Sequence, residues 1–128
     1  MKLLLDTCTF LWIVSADESL SPVARELFTD PANDVFLSAV SAWEIALKHS
    51  LGKLPLPRPP SVLVPEERKR HRIEPLPLDE TAALASAKLP ELHKDPFDRM
   101  LVCQAIMGGL TLVTPDPLVT QYPVAAVW

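Results

Sequence analysis

Short apolar runs alternate with longer amphipathic segments along the chain, and polar turn residues separate them. Brief apolar runs between turn residues indicate buried strands, whereas apolar residues three and four positions apart indicate helices. The strand-like runs occupy residues 2–6, 35–38, 74–78, 111–114 and 124–127. The third of these contains Pro75 and Pro77, which confine it to the edge of a sheet because proline cannot donate a ladder hydrogen bond.

Helical patterns fill the segments between these strands. They are predicted at residues 7–14, 21–29, 41–51, 61–71, 79–89, 95–108 and from Asp116 onward. Ser21-Pro22, Asp95-Pro96 and Asp116-Pro117 each combine an N-cap residue with proline at the first helical position. Pro65 lies inside or divides the fourth helix. Because strands and helices alternate, the sequence predicts an α/β fold with a mostly parallel sheet.

The third and the long sixth helix each show an apolar stripe. Val40, Trp43, Leu47 and Leu51 repeat at helical spacing, so we expect them to face the core, with Glu44 bordering the buried stripe. On the sixth helix the expected core face is formed by Met100, Leu101, Ala105 and Met107. The length of 128 residues corresponds to one domain spanning 1–128.

Composition is compatible with a folded intracellular protein. Mean hydropathy is +0.19, but no apolar run approaches the roughly 20 residues of a membrane span. Lys2 and the following apolar stretch imitate a signal peptide, although Asp6 interrupts the apolar region. Cys8 and Cys103 have no metal-binding or redox spacing, so we expect free thiols in a reducing cytoplasm.

Single acidic residues stand at the ends of the predicted elements. They are Asp6 after the first strand, Glu44 in the third helix, Asp98 at the start of the sixth helix and Asp116 after the fourth strand. Each has an ordinary structural interpretation, as a helix cap or, for Glu44, as an ion-pair partner of Lys48. Together they point to a metal site, because ligands bind beyond the carboxyl ends of parallel strands and clustered carboxylates favour Mg²⁺ or Mn²⁺.

The charge distribution limits nucleic-acid binding modes. Net charge is −4, which argues against broad, charge-driven binding but is compatible with a nuclease whose acidic site holds metal. One basic run occurs at residues 68–72. It is interpreted either as a solvated helix end or as a contact for substrate backbone or a partner.

Several segments resemble PIN-domain proteins, in particular the VapC-like toxin ribonucleases of type II toxin–antitoxin systems. The resemblance spans the chain and lies in four motifs: Leu3-Leu4-Leu5-Asp6-Thr7, residues 38–46 around Trp43-Glu44, Asp95-Pro96-Phe97-Asp98-Arg99-Met100-Leu101, and Leu112-Val113-Thr114-Pro115-Asp116-Pro117. It implies a three-layer α/β/α sandwich and a Mg²⁺- or Mn²⁺-dependent endoribonuclease with an RNA substrate. It also implies a homodimer, a cognate antitoxin partner and a cytoplasmic location without membrane attachment.

The family's catalytic and metal-binding carboxylates correspond to Asp6, Glu44, Asp98 and Asp116, with Asp95 as a further candidate ligand. The supporting residues are Thr7 and Thr114, whose hydroxyls can hydrogen-bond to the carboxylates, and Arg99, expected to pair with a carboxylate or a phosphate.

Two other classes of protein share parts of this pattern. A two-component receiver domain needs a lysine at the end of a late strand, and the run ending in Thr114-Pro115-Asp116 has none. A non-catalytic PIN-like module that binds RNA or protein would not require four metal-suited carboxylates. The endoribonuclease is therefore the favoured function, with the binding module as the alternative.

Overall fold

The computed structural model describes residues 1–128, and its strands and helices alternate as the sequence predicts. In chain order they are β1 (Lys2–Leu5), α1 (Thr7–Ser15), α2 (Pro22–Thr29), β2 (Asp34–Ser38), α3 (Ala39–Ser50), α4 (Pro60–Arg70), β3 (Glu74–Leu76), α5 (Glu80–Ala85), a 3₁₀ turn (Ser86–Lys88), α6 (Pro96–Gly108), β4 (Thr111–Val113), α7 (Pro117–Thr120) and β5 (Ala126–Val127). Pro65 lies within α4, which continues through it. No helix combines the length and apolar character needed to traverse a bilayer.

The strands form one sheet in the order β3-β2-β1-β4-β5, and every neighbouring pair is parallel. The predicted mostly parallel sheet is therefore confirmed. β3 lies at an edge, as its proline, Pro75, requires. The central strand β1 pairs with β2 on one side and with β4 on the other, so the direction of winding reverses between β1 and β4.

Helices cover both faces of the sheet. Leu3 and Leu5 point to one face, where they join a core with residues of α1 to α4, such as Phe10, Ile45 and Leu63. Leu4 points to the opposite face and packs against α6 and α7. Since successive side chains of a strand alternate between faces, the fully buried run of β1 fits a strand covered on both sides. The three-layer α/β/α sandwich is confirmed.

The prediction of which face of α3 is buried was wrong. Val40 is buried, but Trp43 is 53% exposed, Leu47 37% and Leu51 58%. The inward face instead combines Val40, Ser41, Glu44 and Ile45. The physical reason is that α3 lies between α1, α4 and α6, so that the polar residues at 41 and 44 point toward the start of α1 rather than to solvent.

The expected core face of α6 was correct in part. Leu101 and Ala105 are buried, whereas Met107 is half exposed because it lies in the last turn of the helix, where the neighbouring Ile106 is exposed too.

Candidate active site

Asp6 follows directly after β1 and anchors the site. Its Oδ1 accepts a hydrogen bond from Thr7 N at 2.7 Å and caps α1, and its Oδ2 accepts one from Thr114 Oγ1 at 2.7 Å. Thr114 follows β4, so these contacts join the ends of the two strands between which the winding reverses. Burial raises the pKa of Asp6 above its ordinary value, and the negative charges of Glu44 and Asp116 raise it further. The two hydrogen bonds lower the pKa but do not cancel the increase.

Glu44 reaches the same place from α3. It is buried, and its Oε1 accepts a hydrogen bond from Thr7 Oγ1 at 2.7 Å. Lys48, one turn later, forms an ion pair with the other carboxylate oxygen, Oε2. This ion pair raises the pKa of Lys48. Glu44 therefore has the i,i+4 partner that the sequence allowed, and it also borders Asp6 through the shared contact with Thr7.

Asp95 and Asp98 enter from the N-terminus of α6. Asp95 is the N-cap, since its Oδ1 accepts hydrogen bonds from Phe97 N and Asp98 N at 2.9 and 3.1 Å. Asp98 lies in the first turn, where the helix dipole favours negative charge. Burial nevertheless raises the pKa of Asp98 to about 7, with further increases from the charges of Asp6 and Asp95.

Asp116 completes the set after β4. Its Oδ1 caps α7 by accepting from Leu118 N at 2.9 Å, and its own N–H donates to Thr114 Oγ1 at 3.1 Å. Its second oxygen, Oδ2, accepts no hydrogen bond. Capping and a place in the acidic cluster are thus compatible, because α7 starts at the carboxyl end of β4.

One cavity of about 270 Å³ receives all of these carboxylates. Asp6, Glu44, Asp95, Asp98 and Asp116 line it together with Thr7, Cys8 and Lys48. Burial and the neighbouring Asp6 charge raise the pKa of Cys8 to about 12, so this thiol is protonated at neutral pH when no metal is bound. The cavity therefore offers hard oxygen donors and one cation, Lys48.

The donor chemistry fits a hard divalent cation. The raised pKa values of Asp6 and Asp98 express repulsion and desolvation that a cation between the carboxylates would relieve. In the observed rotamers, however, no three His, Cys, Asp or Glu side chains have a spacing that would hold one ion. Both oxygens of Glu44 are engaged, by Thr7 and Lys48, and Oδ2 of Asp98 faces His93, so that of these four oxygens only Oδ1 of Asp98 has no hydrogen-bond partner. Ligation by several of them therefore requires side-chain rotation or bridging water.

Arg99 was predicted to pair with a carboxylate or a phosphate, but no carboxylate contacts it in the structure. Its guanidinium donates to the carbonyl oxygens of Ser86, Leu89, Pro90 and His93 and to the hydroxyl of Tyr122, at 2.9–3.3 Å. The carbonyl oxygens of this segment lie outside regular secondary structure and need hydrogen-bond donors. The planar guanidinium of Arg99 supplies several donors at once. Arg99 thus fixes the segment before α6.

His93 is a site residue that the sequence did not reveal. Its side chain is 8% exposed, and its Nε2 lies 3.2 Å from Asp98 Oδ2. No local sequence signal marks this contact, because His93 precedes the helix and shows no paired-histidine spacing. Its position five residues before Asp98 is the only hint.

The basic run lies elsewhere. Arg70, His71 and Arg72 line a separate cavity of about 410 Å³ with Asn33 and Val35, near the amino end of β2. It is therefore remote from the carboxyl ends of the strands. Glu67, with Arg58 and Arg70 as ion-pair partners, lies beside it.

The fold is that of a PIN domain. The family model for the PIN domain matches residues 3–123, and the chain belongs to this family. A 55-residue segment is 46% identical to Ribonuclease VapC16 of Mycobacterium tuberculosis, covering 43% of this chain and 39% of that protein. The match thus spans less than half of that relative.

Solved structures support the same fold. A chain of the VapBC2 complex from Rickettsia felis, bound to a promoter DNA fragment, aligns with a TM-score of 0.74 at 17% identity, over 100% of this chain and 99% of that one. A chain of DNA-bound VapBC from Salmonella typhimurium aligns with a TM-score of 0.69 at 17% identity, over 99% of this chain and 97% of that one. Divalent-metal use is typical of PIN-domain ribonucleases.

Proposed function

We propose that this chain is a Mg²⁺- or Mn²⁺-dependent endoribonuclease and the toxin of a toxin–antitoxin pair. The observation that supports it most is the convergence of Asp6, Glu44, Asp98 and Asp116 on one cavity at the carboxyl ends of the central strands. Buried carboxylates that repel one another destabilise the folded state unless a bound cation neutralises their charge. A ribonuclease among its relatives supports the substrate class, and relatives in VapBC complexes support an antitoxin partner.

Asp6 and Asp98 would hold the metal, with Glu44 and Asp116 beside them and Asp95 as a further candidate ligand. When bound, such a cation supplies charge stabilisation at a phosphate oxygen and acidifies a water molecule. Within the protein, Thr7 and Thr114 hold Asp6 by hydrogen bonds to opposite carboxylate oxygens. Oδ2 of Asp116, which accepts no hydrogen bond, is free to take a proton from a water in the cavity.

The partner surface is proposed from the exposed apolar side chains of α3. Trp43 contacts Phe97 of α6, with ring centroids 4.9 Å apart, and Leu47 and Leu51 continue the stripe along the helix. An apolar patch next to an acidic cavity suits self-association as a homodimer. It also suits an antitoxin segment that places an apolar helix on the patch and a basic side chain among the carboxylates. An RNA-cleaving toxin with free thiols would act in the cytoplasm.

Cleavage of RNA by the purified chain tests this proposal. In Mg²⁺ or Mn²⁺ the wild type should cleave, and chelation, Asp6→Asn or Asp98→Asn should each abolish cleavage without loss of fold. Asp34→Asn removes an exposed carboxylate at the start of β2 and serves as the matched control, with full activity expected. Expression of the wild type alone, but of neither cavity variant, should arrest bacterial growth. RNA binding without cleavage by the wild type would instead support the binding-module alternative and overturn the proposal.

A further inference from the structure

A line of buried polar side chains leads from Arg99 to Asp98. Tyr122 is 3% exposed, and its hydroxyl lies 2.7 Å from His93 Nδ1 and 3.1 Å from Arg99 Nη1. On the other side of the imidazole ring, Nε2 faces Asp98 Oδ2 at 3.2 Å. Three separate segments therefore meet at the His93 ring: α6, the loop before α6 and the loop after α7.

The donors and acceptors of this line fix the tautomer of His93. Arg99 can only donate, so the Tyr122 oxygen accepts from it and keeps one proton to give. That proton goes to His93 Nδ1 at 2.7 Å rather than to His93 O at 3.5 Å. Since Nδ1 then accepts, the remaining ring proton is on Nε2, and it points at Asp98 Oδ2.

The hydrogen bond from His93 leaves the two oxygens of Asp98 in different situations. Oδ2 is held by the imidazole, whereas Oδ1 accepts no hydrogen bond in the structure. Asp98 itself lines the acidic cavity. The backbone N–H of Asp98 is already capped by Asp95, so the side chain of Asp98 is not required for capping α6.

We propose that His93, oriented by Tyr122, is a positioning residue that holds Asp98 through Oδ2, leaves Oδ1 available to a ligand and so strengthens divalent-cation binding in the cavity. This inference rests on the proposed function. A neutral imidazole donating to a carboxylate ligand fixes the rotamer and lowers the entropy lost on ligation, as outer hydrogen-bond partners do in metal sites generally. Arg99 acts one step further away, through Tyr122 and through the carbonyl oxygen of His93.

Calorimetric titration of Mn²⁺ into the purified full chain tests the role of His93, with the melting temperature measured in parallel. Because the loss of an outer partner typically costs about 10–100-fold in metal affinity, His93→Ala should weaken Mn²⁺ binding by that factor. His93→Gln should restore most of the affinity, since its amide nitrogen can occupy the place of Nε2. Tyr122→Phe, which keeps the buried ring, should give an intermediate loss.

Glu91→Gln is the matched control, because it changes an exposed side chain in the same loop and should bind Mn²⁺ as the wild type does. His93→Ala that folds and binds Mn²⁺ with wild-type affinity, while Asp98→Asn does not, would overturn this inference and leave the proposed function intact. If His93→Ala fails to fold, a Tyr122→Phe variant that binds Mn²⁺ with wild-type affinity would overturn the inference instead. A wild-type chain that binds no Mn²⁺ would overturn the proposed function and this inference together.

Discussion

Asp98 shows most clearly how the fold acts on a single residue. It lies in the first turn of α6, where a carboxylate is favoured, yet burial and the charges of Asp6 and Asp95 raise its pKa to about 7. Burial and the neighbouring negative charges therefore outweigh the hydrogen bond from His93, which lowers the pKa. Strongly perturbed pKa values cluster at functional sites, which makes Asp98 a functional candidate.

The raised pKa of Asp98 predicts how stability depends on pH. The folded-state pKa is above the ordinary 3.8, so the folded protein binds the proton more tightly than the unfolded chain does. The contribution to stability is therefore complete below about pH 4 and is lost as pH rises through about 7. The free energy of unfolding of Asp98→Asn minus that of wild type should rise over this interval by up to a few kcal/mol.

Urea denaturation at pH 4 to 8 without divalent cations measures this difference, with Asp34→Asn as the control for an exposed carboxylate. A difference between Asp98→Asn and wild type that stays constant with pH would contradict the account. Added Mn²⁺ should reduce the pH dependence of the wild type, because the cation stabilises the charged form.

Lys48 is the second residue whose role can be isolated. Its ion pair with the buried Glu44 supplies the single positive charge that lines the cavity. Lys48→Met should destabilise the protein by about 1–3 kcal/mol, less than for a fully buried pair because the lysine side chain is 45% exposed. Urea denaturation measures the effect, and Lys53→Met, an exposed lysine without an ion pair, is the control. Equal stabilities of Lys48→Met and wild type would show that Glu44 needs no counter-charge.

At the scale of elements, the helix starts could be predicted from the sequence. Ser21, Asp95 and Asp116 cap α2, α6 and α7 as expected, each followed by proline at the first helical position. These signals are local, since a cap bonds to the backbone two or three residues away. Strand β5 is shorter than predicted, and the helix after Asp79 ends in a 3₁₀ turn, because such boundaries depend on packing.

The buried side of α3 could not be predicted in the same way. Its apolar stripe of Trp43, Leu47 and Leu51 has helical spacing but faces outward, while Ser41 and Glu44 face inward. Periodicity identifies an apolar face, but it does not say whether the chain's own core or a partner covers that face. The stripe is the surface proposed above for self-association.

Self-association tests the outward face of α3. The double variant Leu47→Glu, Leu51→Glu should be monomeric in sedimentation velocity where the wild type forms dimers. Both side chains are exposed, so the free energy of unfolding should change by less than about 1 kcal/mol per site. Val23→Glu, on α2 and 46% exposed, is the matched control and should remain dimeric. A monomeric wild type, or a double variant that dimerises normally, would rule out this interface.

At the scale of the whole molecule, the strand order decides where the site forms. β1 is central, and β2 and β4 lie on its two sides, so Asp6 and Thr114 meet where the winding reverses. The sequence predicted parallel strands and acidic residues at their ends. The order of the strands in the sheet could not be predicted in this way, because it depends on pairing between residues more than 100 positions apart, such as Leu3 with Thr111.

The contrast between local motifs and long-range contacts also explains which site residues could be predicted from the sequence. Asp6, Glu44, Asp98 and Asp116 occupy recognisable motifs, and all of them line the predicted cavity. His93 and Tyr122 are joined by a contact across 29 positions that no local pattern marks. Arg99 lies in a recognised motif, but its partners are backbone carbonyls of a neighbouring segment, so its role emerged only from the fold.

The central claim is that this acidic cavity holds a divalent cation. Anomalous diffraction from crystals grown with Mn²⁺ tests it most directly, because the signal locates the ion without reference to activity. The account predicts a peak in the cavity within about 2.0–2.6 Å of carboxylate oxygens of Asp6 and Asp98, or one water away from them. The peak should be lost in Asp98→Asn and kept in Asp34→Asn. A fully ordered cavity with no peak at millimolar Mn²⁺, or a peak only at other carboxylates, would contradict the claim.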